Sequence, residues 1–130
     1  LNIKHDISVP VSRIPAFVAS TDAALEAHLP GVRLVDFGHL GDGNLHYNVQ
    51  APTGVPGAAF LATHEASVNR IVYDAVTAHG GSISAEHGVG LLKREELAQR
   101  KSPVALGLMR SIKQALDPQG RFNPGRLLAP

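Results

Sequence analysis

Residues 32–51 read VRLVDFGHLGDGNLHYNVQA. Two apolar-rich runs, 32–40 and 45–51, flank Gly41-Asp42-Gly43-Asn44. Gly and Asn tolerate positive φ, so the tetrapeptide predicts a tight turn and its flanks an antiparallel hairpin. With a four-residue loop, Leu40 faces Leu45 and His39 faces His46. Directly opposite residues share a face of the sheet, with Cβ atoms about 4.5–5.5 Å apart. Two imidazoles at that separation can share one metal ion. Asn48 joins the same face, while Leu45, Tyr47 and Val49 turn to the other. The hairpin therefore sorts into a packed face and a chemical face. A loop one residue longer or shorter would break the pairing.

The rest of the chain supplies partners for this hairpin. In residues 1–9, Ile3, His5, Ile7 and Val9 alternate with Asn2, Lys4, Asp6 and Ser8, which predicts a strand ended by Pro10. A helix follows, with Ser12 as N-cap, Pro15 in its first turn, and Ile14, Phe17, Val18, Thr21, Leu25 and Leu29 at helical spacing. Pro30-Gly31 stops it. After a Pro/Gly-rich loop at 52–57, a second helix spans about 58–79 and ends at Gly80-Gly81. Residues 82–87, SISAEH, read as another strand, closed by Gly88-Val89-Gly90. Charged residues 93–101 read as a short exposed helix. Ser102-Pro103 opens a third helix, with Ala105, Leu108, Met109, Ile112 and Leu116 on its buried side. The order is βαββαβ plus a C-terminal helical extension. That predicts an α+β fold with a ferredoxin-like antiparallel sheet and its helices on one face.

Composition bounds the chemistry. The 130 residues are 44% hydrophobic and 18% charged, which excludes a disordered chain. Lys+Arg is 12 against Asp+Glu 11, so a general nucleic-acid or anionic-membrane binder is not expected. Cys is absent, which excludes disulfides, thiolate metal sites and a Cys nucleophile. Any metal must be held by carboxylates and the 7 His. No apolar run resembles a signal peptide or approaches the ~20 residues of a membrane span, so a cytoplasmic location is expected. The chain opens on Leu1 rather than Met, which suggests a piece of something longer.

His39 and His46 taken alone are equally at home on an ordinary surface. Gly38, Gly41 and Gly43 beside them weaken a strand, and they make sense where backbone turns tightly and admits a ligand. Glu86 would complete a His₂Glu set, a zinc pattern with open coordination positions; Mn²⁺ or Fe²⁺ also suits such donors. Glu86 and His87 can serve one site only if the chain bends, which Gly88 permits; alone, the pair reads better as an exposed strand end. His64-Glu65 opens like a zincin helix, but Val68 occupies the second His position. Gly88 to Lys93 lacks P-loop spacing. Arg100, Lys101, Arg110, Lys113, Arg121 and Arg126 read as a solvated surface or the seat of an anionic partner or another domain. His5, His28, His64 and His79 show no partner pattern.

Three motifs in order, GHLGDGNLH (38–46), SAEHGVG (84–90) and LDPQGRFNPGRLL (116–128), resemble the C-terminal region of the FAD-linked oxidases of the vanillyl-alcohol-oxidase superfamily. These flavoenzymes act on D-2-hydroxy acids, as do D-lactate dehydrogenase, D-2-hydroxyglutarate dehydrogenase and the flavin subunit of glycolate oxidase. The opening IKHDISVPVSRIP is similar to a strand of that family bearing lysine, aspartate, serine and proline. The resemblance implies that residues 1–130 form the C-terminal part of the substrate domain, with 102–130 a helical tail returning toward an absent FAD-binding domain. It assigns His39, His46 and Glu86 to a divalent metal, usually zinc, and His87 to the general base. It assigns Asn48 and Lys4 to the substrate, and Asn123 to a contact with FAD. It implies oxidation of a small 2-hydroxy acid by hydride transfer to flavin, with the fragment alone inactive for want of an acceptor. Surface that would meet the absent domain leaves a homodimer open. Two other readings compete. One is a free-standing ferredoxin-like metal-binding or regulatory module. The other is an RNA-binding sheet, disfavoured because Tyr47 is the only aromatic in 45–51 and faces the core.

Overall fold

Period-two alternation builds the sheet. Ile3, His5 and Ile7 of β1 (Asn2–Ser8) and Leu45, Tyr47 and Val49 of β3 (Asn44–Gln50) are all buried on one face. With β2 (Arg33–Phe37) they make an antiparallel sheet in the order β1-β3-β2. The structure, a computed structural model, describes residues 1–129. Its backbone divides into two units, Leu1–His87 and a second from Gly88 onward.

In the first unit, α1 (Ile14–His28) and α2 (Gly57–Ala78) cover the apolar face. Phe17, Thr21 and Leu25 of α1 and Phe60, Val68, Val72 and Val76 of α2 complete the core. Each such large apolar side chain contributes about 1.5–3 kcal/mol when fully buried. Two polar side chains of the sheet find partners in this core. Tyr47 donates its hydroxyl to Asp22 Oδ1 at 2.6 Å, and His5 pairs Nδ1 with the Tyr47 carbonyl at 2.9 Å and Nε2 with the Asn69 amide at 2.8 Å. α2 stops as its glycine pair predicts. Gly80 N–H reaches Thr77 O and Gly81 N–H reaches Val76 O, a Schellman closure. The cap of α1 differs from expectation. Ser12 lies in a 3-10 turn, Val11–Arg13, and Arg13 precedes the helix without a side-chain cap bond. Pro15, which has no N–H, removes one of the donors that a cap would have satisfied.

The hairpin register also differs. Phe37, not His39, lies opposite His46. The cause is Gly38, whose φ of 152° brings it so close to β3 that a Cβ would meet Asn44 O at 2.3 Å. The chain leaves the ladder there and forms a 3-10 turn, Leu40–Asp42, closed by Gly43 at φ 73°. Gly38 and Gly43 thus answer to close backbone packing. The register is displaced by two residues, and an even displacement keeps every side chain on its expected face.

The expected strand 82–87 contracts to one antiparallel bridge, Ser8 with Ser82. Beyond it the backbone donors turn to side chains: Ser84 N–H meets Ser82 Oγ, and the following amides meet the Asp6 carboxylate. Side-chain acceptors of this kind compete directly with a ladder. The bridge lies on β1, whose ladder with β3 takes its other edge, so the arrangement remains consistent with a ferredoxin-like α+β sheet.

The second unit holds α3 (Arg94–Arg100) and α4 (Pro103–Leu116). Ser102 caps α4 as expected, its side chain accepting from Ala105 N–H. The expected buried stripe is reversed in part. Leu106 is the buried residue, whereas Leu108, Ile112 and Leu116 are exposed. The tail folds back onto the C-terminal end of α4. Asp117 accepts from Lys113 and from the amides of Arg121 and Phe122, and Lys113 donates to the Phe122 carbonyl.

Candidate functional site

The sheet face opposite the helices carries the chemistry in rows. One row runs Asp6, His46, Phe37 across β1, β3 and β2. The next runs Lys4, Asn48, Val35. Successive rows on one face are two residues apart, about 6.6–6.8 Å. The alternation that was legible in the sequence therefore sets Lys4 directly beside Asn48, one row from His46.

Over the first row folds the segment Ala85–His87. Its amides all converge on one atom: Ala85, Glu86 and His87 N–H donate to Asp6 Oδ2 at 3.2, 3.1 and 2.8 Å. Glu86 Oε1 then lies 3.1 Å from His46 Nε2, and the His87 ring stacks on His46 with centroids 5.6 Å apart. Asp6 Oδ1 is 3.9 Å from His46 Nδ1, and Asp6 Oδ2 is 3.7 Å from His87 Nδ1. Asn44 donates to Glu86 Oε1 at 3.1 Å. Phe37 closes the other side of His46, its ring 5.0 Å away.

Asp6, His46, Glu86 and His87 each offer a ligand atom, and these atoms all lie within 4.8 Å of one another. Two imidazoles and two carboxylates are a donor set that suits a divalent cation such as Zn²⁺ or Mn²⁺. The residues present therefore fit a metal. His39 stands outside this group, exposed at the entry to the 3-10 turn. Its carbonyl accepts from Asp42 and Asn44 N–H, which fixes its backbone beside the row. Asn123 is exposed in the tail, with φ 47°. Sequence reasoning missed Asp6, Asn44 and Phe37. The signal for Asp6 was present, since alternation sets it on the face of Lys4.

The large pKa shifts in the first unit belong to the other face. Burial, then the charge of Asp22, pushes Asp36 up to about 6. Burial, then the hydrogen bond to Asp22, raises Tyr47. These groups serve the packing of the helices on the sheet and lie away from the His46 row.

The family described as FAD linked oxidases, C-terminal domain, matches residues 1–127. The chain belongs to that family. Relatives of this FAD-linked oxidase domain include a protein named D-2-hydroxyglutarate dehydrogenase from Stutzerimonas stutzeri (strain A1501), 44% identical over 97% of this chain and 27% of its own length. One of the same name from Xanthomonas citri pv. viticola is 45% identical over 95% of this chain and 26% of its own length. A mitochondrial D-2-hydroxyglutarate dehydrogenase from Bos taurus is 40% identical over 96% of this chain and 22% of its own length. The FAD-linked oxidase domain described by these residues thus spans about a quarter of the length of such relatives. No helix among the described residues is long and apolar enough to cross a membrane.

Proposed function

We propose that this chain is the substrate- and metal-binding part of a flavoenzyme that oxidises D-2-hydroxyglutarate, a D-2-hydroxy acid, to its 2-oxo acid. The observation that carries this reading is the pair of adjacent rows on one open sheet face: His46 with its carboxylate neighbours, then Lys4 beside Asn48. The names of the relatives point to the same substrate.

His46 and Glu86 hold a divalent metal, zinc in this reading, and His39 supplies the third ligand from the neighbouring turn. A bound divalent cation supplies Lewis-acid polarisation of the substrate hydroxyl. His87, exposed at the mouth of the site, takes the hydroxyl proton; imidazole is a side chain that can accept and release a proton near neutral pH. Asn48 orients the substrate through its side-chain amide. Lys4 stands one row from His46, where its ammonium meets the distal carboxylate of a dicarboxylic acid. Fixing both ends of the substrate presents Cα in one orientation. A bound FAD supplies the hydride acceptor, and a larger upstream portion of the protein binds it, with Asn123 contributing from the tail.

The reading is tested with the whole protein that contains this chain, purified as a flavoprotein. Dye reduction should be fastest with D-2-hydroxyglutarate and much slower with D-lactate and glycolate. Lys4→Met should raise KM for D-2-hydroxyglutarate roughly 10–100-fold and change D-lactate turnover little, because one desolvated charged contact is worth about 1.5–3 kcal/mol. Equal rates on all acids, or a protein without flavin, would sink the reading. The 130-residue chain alone should show no turnover.

A further inference from the structure

We propose that Asp6 is the positioning residue of this site, the group that holds Glu86 and His87 against His46. The inference rests on the metal-site reading above and extends it to a residue that reading leaves without a role.

Asp6 is 3% exposed although it lies on the sheet face away from the helices. A carboxylate in that position is costly unless donors meet it. The donors come from one short stretch: three consecutive amides, Ala85, Glu86 and His87, point at a single oxygen, Oδ2. Consecutive N–H groups converging on an anion form a nest, here with the anion supplied by the protein itself. The Asp6 carbonyl also accepts from Ala85 N–H at 3.3 Å. Those bonds replace the ladder that residues 82–87 would otherwise make with β1. They turn the chain so that adjacent residues, which in a strand would face opposite ways, both face His46. Asp6 is itself directly opposite His46 in the β1–β3 register. One side chain therefore ties β1, the His46 row and the Glu86-His87 turn together across eighty residues of sequence.

The three elements differ in what they demand of Asp6. The amides need an acceptor oxygen and no net charge. A metal ligand would need the charge. Asp6→Asn keeps a carbonyl oxygen of the same reach, whereas Asp6→Ala and Asp6→Ser do not span the gap. Amide hydrogen exchange of the 130-residue chain, without metal, reads the turn directly. The expected result is that exchange at residues 85–87 accelerates at least tenfold in Asp6→Ala and Asp6→Ser, while the β1–β3 ladder stays protected. Asp6→Asn should return most of that protection. Titration with Zn²⁺, and with Co²⁺ followed by its visible spectrum, then reads the site. Affinity should fall about 10–100-fold in Asp6→Ala, the usual cost of losing a group that orients ligands, with an altered Co²⁺ spectrum, and Asp6→Asn should recover most of both.

Unchanged exchange at 85–87 in Asp6→Ala and Asp6→Ser would overturn the proposal. So would an Asp6→Asn chain that keeps the turn protected yet binds Zn²⁺ as poorly as Asp6→Ala, because Asp6 would then act by charge as a ligand. If Asp6→Ala fails to fold, the ladder amides will show it, and the contrast of Asp6→Asn with Asp6→Ser decides. A native chain that takes up neither metal refutes the metal reading alone, since the exchange comparison still judges whether Asp6 holds the turn.

Discussion

The rings of Phe37 and His46 sit 5.0 Å apart and tilted by 39° on opposite partners of the β2–β3 ladder. Phe37 is nevertheless 57% exposed, so one side of its ring packs on the imidazole and the other meets solvent. The His87 ring stacks near the same imidazole, so His46 has two ring neighbours. Phe37→Ala removes one wall. Its effect on stability should be small, below about 1 kcal/mol, because little buried apolar surface is lost. Its effect on the site should be larger: Zn²⁺ affinity should drop several-fold as His46 gains rotamer freedom. Thermal unfolding and calorimetric titration on the same samples check both. A large loss of stability with unchanged affinity would contradict this account.

The proposed ligands make a graded prediction. His46→Ala and Glu86→Ala remove donors that already lie 3.1 Å apart, and each should abolish stoichiometric Zn²⁺ uptake. His39→Ala removes a group that stands outside the cluster and should weaken uptake without changing the fold. Metal content after equilibrium dialysis reads all three. Full uptake by His39→Ala would strike His39 from the ligand set and leave His46 and Glu86 as the proposed ligands.

Gly43 and Gly41 should respond unequally to alanine. Gly43 has φ 73°, and an added Cβ would meet Val9 O at 2.2 Å. Val9 N–H also donates to Gly43 O, so the turn is tied to the end of β1. Gly43→Ala should cost at least about 1–3 kcal/mol from backbone strain alone, and more from the clash. Gly41 has nothing within 4 Å of its Cβ position, and Gly41→Ala should fall within about 0.5 kcal/mol of the native chain. Urea unfolding separates them. Equal tolerance at both positions would mean that the turn is not held as described.

Alternation made the sheet faces legible. It set Lys4, Asp6, His46 and Asn48 together on one side and Leu45, Tyr47 and Val49 on the other, because a period of two survives an even register displacement. It could not show that Gly38 ends β2 early, because the reason is the approach of Asn44 O, a contact between residues of two different strands. The strand read into SISAEH failed for a similar reason. Its amides had a better partner in Asp6, and that partner lies eighty positions away. The apolar spacing of α4 was real, but spacing alone does not say which side of a helix finds cover, and Leu108, Ile112 and Leu116 are exposed among the described residues. Helix ends were legible where the signal was local, as at Ser102 and at Gly80-Gly81.

The pH dependence of stability should carry the mark of Asp36. Its side chain shares the helix-covered face with Tyr47, and burial together with Asp22 pushes its pKa from 3.8 up to about 6. Tyr47 donates its hydroxyl to Asp22 Oδ1, which holds Asp22 close by. Between those two pKa values the folded chain binds more protons at this position than the unfolded chain does. Folding stability therefore falls as pH rises through that window, and the deficit is complete above about pH 6–7. Asp36→Asn removes the ionisation and with it the deficit. Relative to the native chain, the variant should gain about 1–2 kcal/mol on going from pH 4 to pH 7.5, a figure reduced from the full shift for solvent screening of a partly exposed group. Urea unfolding of both chains across that range measures it. A difference between them that does not change with pH would show that Asp36 titrates in the folded chain as it does in the unfolded one.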